Sequence, residues 1–320
     1  MTRSRDALPA PDVAPVERLR AALARLNPGG ARIGLAVSGG PDSMAMLLLA
    51  DAAIPGGFGV ATVDHGLRPE AAQECALVEA ECLARGIACA VLRVTVASGN
   101  VQSEARAARY AAMAGWAQER GLTALATAHH ADDQAETLLL RLNRGSGVAG
   151  LAGVREIGEV AGVRVIRPLL GFRRAELAAV VAAGGIAPAY DPSNVDPHYD
   201  RVRLRQNLAQ CDWLDPLALA HSAGLLADAE QALAAFEDVL WPDHVRCEGG
   251  SYRLAPPSVP LMRVRLVRRI IAAMGGEPRG GEVARLVKRL EAGAGGNLGG
   301  VLASVVGADW LFRAEPARRG

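Results

Sequence analysis

Along its first half the chain switches repeatedly between two hydrophobic periods. Short apolar runs of strand length (Ile33–Val37, Phe58–Val63, Ala88–Val94, Thr123–Ala128) alternate with stretches whose apolar residues recur at helical spacing. The helical stretches are Val16–Leu26, Asp42 to about Asp51, Pro69–Arg85 and Gln102–Arg120. Asn27-Pro28-Gly29-Gly30 and Ile54-Pro55-Gly56-Gly57 break the chain, and Gly86 and Gly121 stand where helix C-caps are needed. This alternation predicts right-handed βαβ units and a Rossmann-like α/β fold, a parallel sheet covered on both faces. Beyond Arg144 the pattern loosens. Gly145–Gly153 reads as a glycine-rich loop, Val154–Glu156 and Val163–Ile166 as a hairpin around Gly158–Gly162, and Arg173–Ala183 as a short helix. Past Asp215-Pro216 alanine and leucine dominate, and Leu217–Leu240, Leu261–Met274 and Glu282–Ala292 read as helices. We place a boundary near Trp213–Pro216. That yields a proline-spotted lead-in over 1–15, expected to be disordered, a catalytic α/β domain over 16–215, and a smaller, mainly helical domain over 216–320.

Composition narrows the class. Half of the 320 residues are hydrophobic, yet no uncharged run reaches membrane-spanning length, and the start lacks the apolar segment of a secretory signal. The five cysteines are odd in number and form no C-x-x-C pair, which argues against a disulfide framework, a zinc ribbon and a dithiol centre, and fits a reducing cytoplasm. Cys75 and Cys82, seven apart on a predicted helix, read as small core residues. Net charge is only +1, but from Ser251 to Gly320 there are 12 Lys/Arg against 5 Asp/Glu, an excess of 7. Such an excess suits either a solvated helical face or a nucleic-acid face.

Candidate chemistry falls at strand ends. The first strand runs into Ser38-Gly39-Gly40-Pro41-Asp42-Ser43 and then straight into a helix, a junction whose free N–H groups and positive helix end suit an anion. It is not the common phosphate loop, which needs a lysine after its last glycine; the only lysine here is Lys288. Two hydroxyls and several N–H groups suit a pyrophosphate, and Asp42 can face Mg²⁺. The second strand ends in Asp64-His65 and the fourth in His129-His130-Ala131-Asp132-Asp133-Gln134-Ala135-Glu136. Ligands of parallel sheets bind outside the strands' carboxyl ends, where these clusters converge. Helix capping accounts for one carboxylate among Asp132, Asp133 and Glu136, but poorly for three. A site that orients an ammonium group is one reading, with His129 or His130 available for proton transfer or phosphate contact; a metal site from His129 or His130 and Asp133 is weaker. Arg106 and Arg109 lie i, i+3 beside Tyr110, either as a solvent-facing pair or as a phosphate contact. Arg201, Arg203 and Arg205 share a face if the chain is extended there.

Taken together, SGGPDS (38–43), DHGLR (64–68), ARAARY (105–110), HHADDQAET (129–137), RLNRGSG (141–147), RPLL (167–170) and DPSN (191–194) resemble the tRNA(Ile)-lysidine synthetases within the N-type ATP pyrophosphatases. The matching motifs span roughly half of the chain, from Arg32 to Arg205. The resemblance implies an adenine nucleotide alpha hydrolase-like fold and a carbon–nitrogen ligase using ATP and Mg²⁺. The family adenylates C2 of the wobble cytidine of a tRNA(Ile) with a CAU anticodon, and free L-lysine then displaces AMP to form lysidine. On that basis ATP falls to Ser38, Gly39, Gly40, Pro41, Asp42, Ser43, Asp64 and His65. Lysine falls to Asp132, Asp133 and Glu136, and catalysis to Asp42, Arg106, Arg109, His129 and Asp133. The tRNA falls to Arg201, Arg203, Arg205, Arg265, Arg268 and Arg269, and a homodimer is left open. The family's late basic motif reads Arg-Asn-x-x-Arg, where this chain has Arg201-Val202-Arg203-Leu204-Arg205. Only about a hundred residues follow Pro216, as in compact members with one helical tRNA-binding domain. Alternatives are a tRNA cytidine 2-thiolation enzyme, which would need sulfur carriers or paired cysteines, and an adenylating amide ligase for a small molecule, which would not need the basic C-terminal segment.

Overall fold

The structure, a computed structural model, describes residues 12–64, 66, 70–94, 101–190, 196, 198–278 and 280–315. The chain divides into two compact units, one ending at Ala227 and one starting at Asp228. The first is built on the strands β1 (Ile33–Ala36), β2 (Phe58–Asp64), β3 (Cys89–Arg93), β4 (Leu125–Ala126), β5 (Ile157–Val160) and β6 (Val163–Ile166). They lie in the order β3-β2-β1-β4-β6-β5, all parallel except the β5–β6 hairpin. Its helices are α1 (Val13–Leu26), α2 (Pro41–Ala53), α3 (Glu70–Ala84), α4 (Val101–Glu119), α5 (Ala131–Asn143), the single turn α6 (Val148–Leu151), α7 (Arg174–Ala183) and α8 (Asp200–Leu208). The chain first winds outward through β2 and β3, then crosses back to β4 on the other side of β1, so the strand order reverses between β1 and β4.

Helix α2 is apolar on every side, and Met44 to Ala50 are all buried. Such a helix needs cover all round. It lies in the core cluster with β1 and β2 residues such as Leu35 and Val60, and packs against α1 and α7. Tyr110, Met113 and Trp116 of α4 join Leu125 and Val165 in a separate core cluster. Trp116 fits because Gly34 and Gly59, paired in register on β1 and β2, leave a furrow: a Cβ on Gly34 would stand 2.6 Å from the Trp116 ring.

Several expectations shift. Val13–Pro15, assigned to the lead-in, are helical; residues 1–11 lie outside the described residues. The hairpin forms, but its first strand starts at Ile157 and it turns at Ala161-Gly162, both at positive φ (51° and 74°). That conformation matches a tight two-residue hairpin turn and slides the register. Residues 201–205 are not extended but lie in α8, which moves Arg203 off the face shared by Arg201 and Arg205.

The second unit begins within α9 (Pro216–His244) and continues through β7 (Val245–Glu248), β8 (Ser251–Leu254), α10 (Pro260–Ala273), α11 (Gly280–Glu291), β9 (Gly296–Leu298), β10 (Val301–Val306) and β11 (Asp309–Ala314). Its helices carry more residues than its strands, but the antiparallel sheet β7-β8-β11-β10-β9 is an addition to the helical reading. Leu266, Ile270, Val283, Leu286 and Phe312 fill its core. No helix among the described residues is long and apolar enough to cross a membrane.

Candidate active site

The loop after β1 is held by its own hydroxyls. Ser43 Oγ donates to the Gly40 carbonyl (2.9 Å) and accepts from the Ser38 N–H (3.1 Å), with Ser38 Oγ 3.3 Å away. Gly39 has φ 81°, and a Cβ there would meet the Glu74 carbonyl at 3.1 Å, so the position admits only glycine. Gly39's carbonyl accepts from the Ala189 N–H (3.0 Å), which ties the loop to the segment after α7. The N-cap of α2 is Gly40 and Pro41 is its first residue, so no side chain caps the helix and its positive end stays available to an anion. Ser43 is therefore spent on shaping the loop, and Ser38 is the exposed hydroxyl.

Across the strand-order reversal, the start of α5 faces the start of α2. His130, fully buried, caps α5 reciprocally: its Nδ1 accepts from the Asp133 N–H, and Asp133 Oδ2 accepts from the His130 N–H. With Nδ1 accepting, Nε2 carries the ring proton. That nitrogen lies 3.4 Å from Asp42 Oδ2 and 3.5 Å from Asp133 Oδ2. Neither Nε2 nor the buried Asp42 Oδ1 makes a hydrogen bond among the described residues. The geometry thus joins Asp42, His130 and Asp133 around polar atoms with spare valence. An orphaned carboxylate oxygen of this kind fits a hard cation such as Mg²⁺, which takes one or two protein carboxylates and completes its shell with phosphate oxygens and water. No cluster of three His, Cys, Asp or Glu able to hold a metal by itself occurs among the described residues.

The other two carboxylates of this helix are already engaged. Asp132 Oδ2 accepts from the Arg174 N–H at the start of α7 (2.8 Å) and from Arg173 Nε (3.3 Å). Burial pushes the Asp132 carboxyl up, but these donors and the Arg173 charge outweigh it and hold it below the usual range. Glu136 is 1% exposed and is met by three guanidinium groups, from Arg174 (3.2 Å), Arg201 (3.1 Å) and Arg205 (2.8 Å). Arg201 also donates to Thr137 Oγ1, so α8 is fastened to α5 by Arg201 and Arg205, with Val202 buried. Of the lysine-binding candidates, Asp132 and Glu136 are hydrogen-bonded to arginine, whereas Asp133 has only Arg174 at 3.9 Å from its Oδ1 and accepts no arginine hydrogen bond among the described residues.

On the far side of His129 lies a basic group. His129 Nδ1 is 3.0 Å from Thr127 Oγ1. Burial, with Arg167, Arg106 and Arg201 nearby, lowers its pKa to about 4 against the pull of Asp133. It is neutral at pH 7, a hydrogen-bonding group rather than a further charge. Arg106 stacks over the Tyr110 ring at 5.1 Å, and Arg167 is buried with its Nε unpaired among the described residues. Burial and the charge of Arg106 lower the pKa values of both Arg109 and Arg167. Asp64 closes the end of β2, accepting from the Gly66 N–H. His65 and 191–194 lie outside the described residues.

Arg203 pairs with Asp200 on the surface. In the second unit Arg265 is not a surface cation: it is 7% exposed and bonded to Glu230 (2.8 Å) and Glu237 (2.9 Å), which removes it from the expected basic face. Arg269 lies over Trp241 and pairs with Asp238, and Arg268 is half-buried with no ion pair among the described residues. Sequence reasoning missed Arg173, Arg174 and Arg167. The Arg173-Arg174 pair at a helix start was a usable signal, because cations there oppose the helix dipole unless a carboxylate compensates.

The PP-loop domain family matches residues 15–211. The tRNA(Ile)-lysidine synthase of Novosphingobium aromaticivorans is 48% identical over 308 residues, covering 94% of each chain, and that of Zymomonas mobilis is 39% identical, covering 92% of this chain and 91% of its own. The chain belongs to the tRNA(Ile)-lysidine synthase family. Among solved structures, the U34-tRNA thiolase NcsA from Methanococcus maripaludis with its 4Fe-4S cluster aligns with a TM-score of 0.55 at 16% identity, over 67% of this chain and 79% of that one. That likeness shows a shared fold. For a lysidine synthase the reversal between β1 and β4 is the part that matters, since it brings the loop at 38–43 and the carboxylates of α5 to one edge.

Proposed function

We propose that this lysidine synthase ligates free L-lysine to C2 of the wobble cytidine of a tRNA(Ile) with a CAU anticodon, consuming ATP and releasing AMP and diphosphate. The reading rests most heavily on the meeting of Asp42, His130 and Asp133 at the sheet's carboxyl edge. The loop at 38–43 and the first turn of α2 receive the diphosphate half of ATP. Asp42 is the carboxylate that would hold Mg²⁺, which supplies charge neutralisation of the phosphates when bound. Asp64, at the end of β2, lies on the nucleotide's side of the sheet, and His65, next to it in sequence, is a further candidate contact for the nucleotide. Arg106 and Arg109, with Arg167 beside them, offset charge at the α-phosphate as the cytidine oxygen attacks. Neutral His129 donates or accepts a hydrogen bond there without adding charge.

Lysine's ε-ammonium is held by Asp133, the α5 carboxylate with capacity to spare. Asp132 and Glu136 act one step back, positioning α7 and α8. The excess of guanidinium over carboxylate at Glu136, with Arg203 on α8, favours an anionic backbone near the first unit, and Arg268 and Arg269 of the second unit offer contacts to tRNA of their own. Pairing with a second copy of the chain is kept as part of this reading.

The test is incubation with ATP, labelled lysine and unmodified tRNA(Ile) bearing CAU. Label in the tRNA, dependent on ATP, supports the reading. Diphosphate release that needs no tRNA contradicts it and favours a small-molecule ligase, and sulfur incorporation in place of lysine favours thiolation.

A further inference from the structure

His130 stands between the nucleotide loop and Asp133, and its two ring nitrogens have different tasks. Nδ1 serves the fold: as the N-cap of α5 it accepts from the Asp133 N–H. Capping a helix asks only for a short side-chain acceptor, such as Ser, Asp or Asn provides. An imidazole adds a donor on the far side of the ring, and the cap makes no use of it. That donor, Nε2–H, lies 3.4 Å from Asp42 Oδ2 and 3.5 Å from Asp133 Oδ2. It is thus placed almost evenly between the carboxylate proposed for Mg²⁺ and the one proposed for lysine.

The ring itself is out of reach of any ligand. His130 is fully buried, whereas Asp42 and Asp133 are partly exposed, so ligands reach the carboxylates from solvent and His130 meets them from the core side. The N–H is bonded to neither oxygen among the described residues. A buried donor is seldom left unpaired in native proteins, and a small rotation of either carboxylate pairs this one. Asp42 and Asp133 are also like charges drawn to a single donor, so that donor sets how far apart they rest.

We infer that His130 is a positioning residue for both half-reactions. Its Nε2–H bonds whichever of Asp42 and Asp133 a ligand has not drawn away, and so keeps the pair at one spacing throughout. The inference rests on the lysidine-synthase reading of this edge.

Two amides that each mimic one side of the ring separate this role from a cap. His130→Asn places its side-chain oxygen where Nδ1 stands, which keeps the cap and deletes the far donor. His130→Gln is long enough to place an amide N–H near Nε2, and gives up the cap. Diphosphate release and transfer of labelled lysine to tRNA(Ile) are measured for both, below their melting temperatures. His130→Asn should lower both rates by about tenfold or more, the scale of one lost charge-assisted hydrogen bond, while His130→Gln stays within a few-fold of wild type. A residue that only caps α5 gives the reverse order. An Asn variant at least as active as the Gln variant, beside an active wild type, overturns the inference alone; a wild type that transfers no lysine overturns the reading and the inference together. Should both variants fail to fold, the wild type decides through a two-bond proton–nitrogen NMR correlation on histidine-labelled protein, assigned by substituting the other histidines. The Nε2–H tautomer is expected for His130, with an Nε2 resonance that shifts on adding the Mg²⁺ complex of a non-hydrolysable ATP analogue and again on adding lysine. The Nδ1–H tautomer, or a resonance that neither addition moves, overturns the inference.

Discussion

Two ionic knots, one in each unit and each centred on a buried side chain, are near mirror images. In the α/β unit one carboxylate, Glu136, is met by three arginines; in the C-terminal unit one arginine, Arg265, is met by Glu230 and Glu237, with Arg269 3.8 Å from Glu237. The difference lies in what each leaves over. The knot at Glu136 has more positive than negative charge and draws its arginines from α7 and α8 onto the helix that also carries Asp133, so it leaves positive charge beside the proposed lysine carboxylate. The knot at Arg265 joins α9 to α10 within a small core, and its charge is consumed by structure. A buried ion pair is a poor source of net stability, but breaking one by removing a single partner is expensive.

The largest expected effect separates the knots by replacement. Arg265→Leu should lower stability by about 3–5 kcal/mol, because it strands the buried Glu230 and Glu237 carboxylates, whereas Glu136→Gln should cost less, because Arg174, Arg201 and Arg205 are partly exposed. Replacing Arg265, Glu230 and Glu237 together with leucine should recover most of that loss in denaturant unfolding and leave diphosphate release near wild type. Apolar replacement of Glu136, Arg174, Arg201 and Arg205 together should recover stability without recovering activity. If activity also returned, the Glu136 knot would be structural and the contrast would fail.

Next in size is Asp42→Asn, which should cut tRNA-dependent diphosphate release by about 10²–10³-fold, the scale of removing one preorganised electrostatic interaction. Its melting temperature should hardly move, since Asp42 Oδ1 has no protein partner to lose. A large loss of stability instead would recast Asp42 as a structural cap for His130.

A smaller effect tests the turn of α10 that follows Arg265. Arg268→Gln with Arg269→Gln should flatten the slope of log K against log salt for tRNA by about one to two, roughly 0.7–0.9 for each phosphate no longer neutralised. The leucine replacement of the Arg265 knot should leave the slope alone. An unchanged slope in the double variant would reduce this face to a solvated one.

The smallest effect is a pH dependence. His129 has a folded pKa of about 4, below its usual value near 6.5, so the unfolded chain binds its proton first. Its contribution to stability is complete above about pH 6.5 and declines as pH falls toward 4, by up to tenfold in the folding constant per pH unit. Asp132, whose carboxyl is also held low, loses its contribution only at more acidic pH. Denaturation midpoints at pH 7 and pH 5 should therefore converge in His129→Gln; equal pH dependence in variant and wild type would assign the effect elsewhere.

Much of the α/β unit was legible because period and punctuation agree there: apolar strands of two to seven residues, helices stopped by glycine, and polar clusters at strand ends. What escaped had local signals pointing another way. Arg201-Val202-Arg203-Leu204-Arg205 alternates like a strand but forms α8, because a carboxylate 65 to 69 positions earlier draws Arg201 and Arg205 to one side of a helix. The C-terminal sheet is made of short strands, and its plainest marks were the paired glycines Gly249-Gly250 and Gly299-Gly300, all at positive φ, between β7 and β8 and between β9 and β10. In the site, Asp42 and Asp133 stood out as carboxylates beside a glycine loop and a histidine pair. The arginines that occupy Asp132 and Glu136 come from 38 to 69 residues away, a separation no local pattern encodes.

The central claim is that one edge of the sheet performs two separable half-reactions, with Asp133 serving the second. Its most direct test is Asp133→Asn, which preserves the oxygen that accepts from the His130 N–H, assayed in parallel for tRNA-dependent diphosphate release and for transfer of labelled lysine to tRNA(Ile). Diphosphate release that stays within a few-fold of wild type while lysine transfer is lost is the predicted result. Equal loss of both, or full retention of lysine transfer, would contradict it.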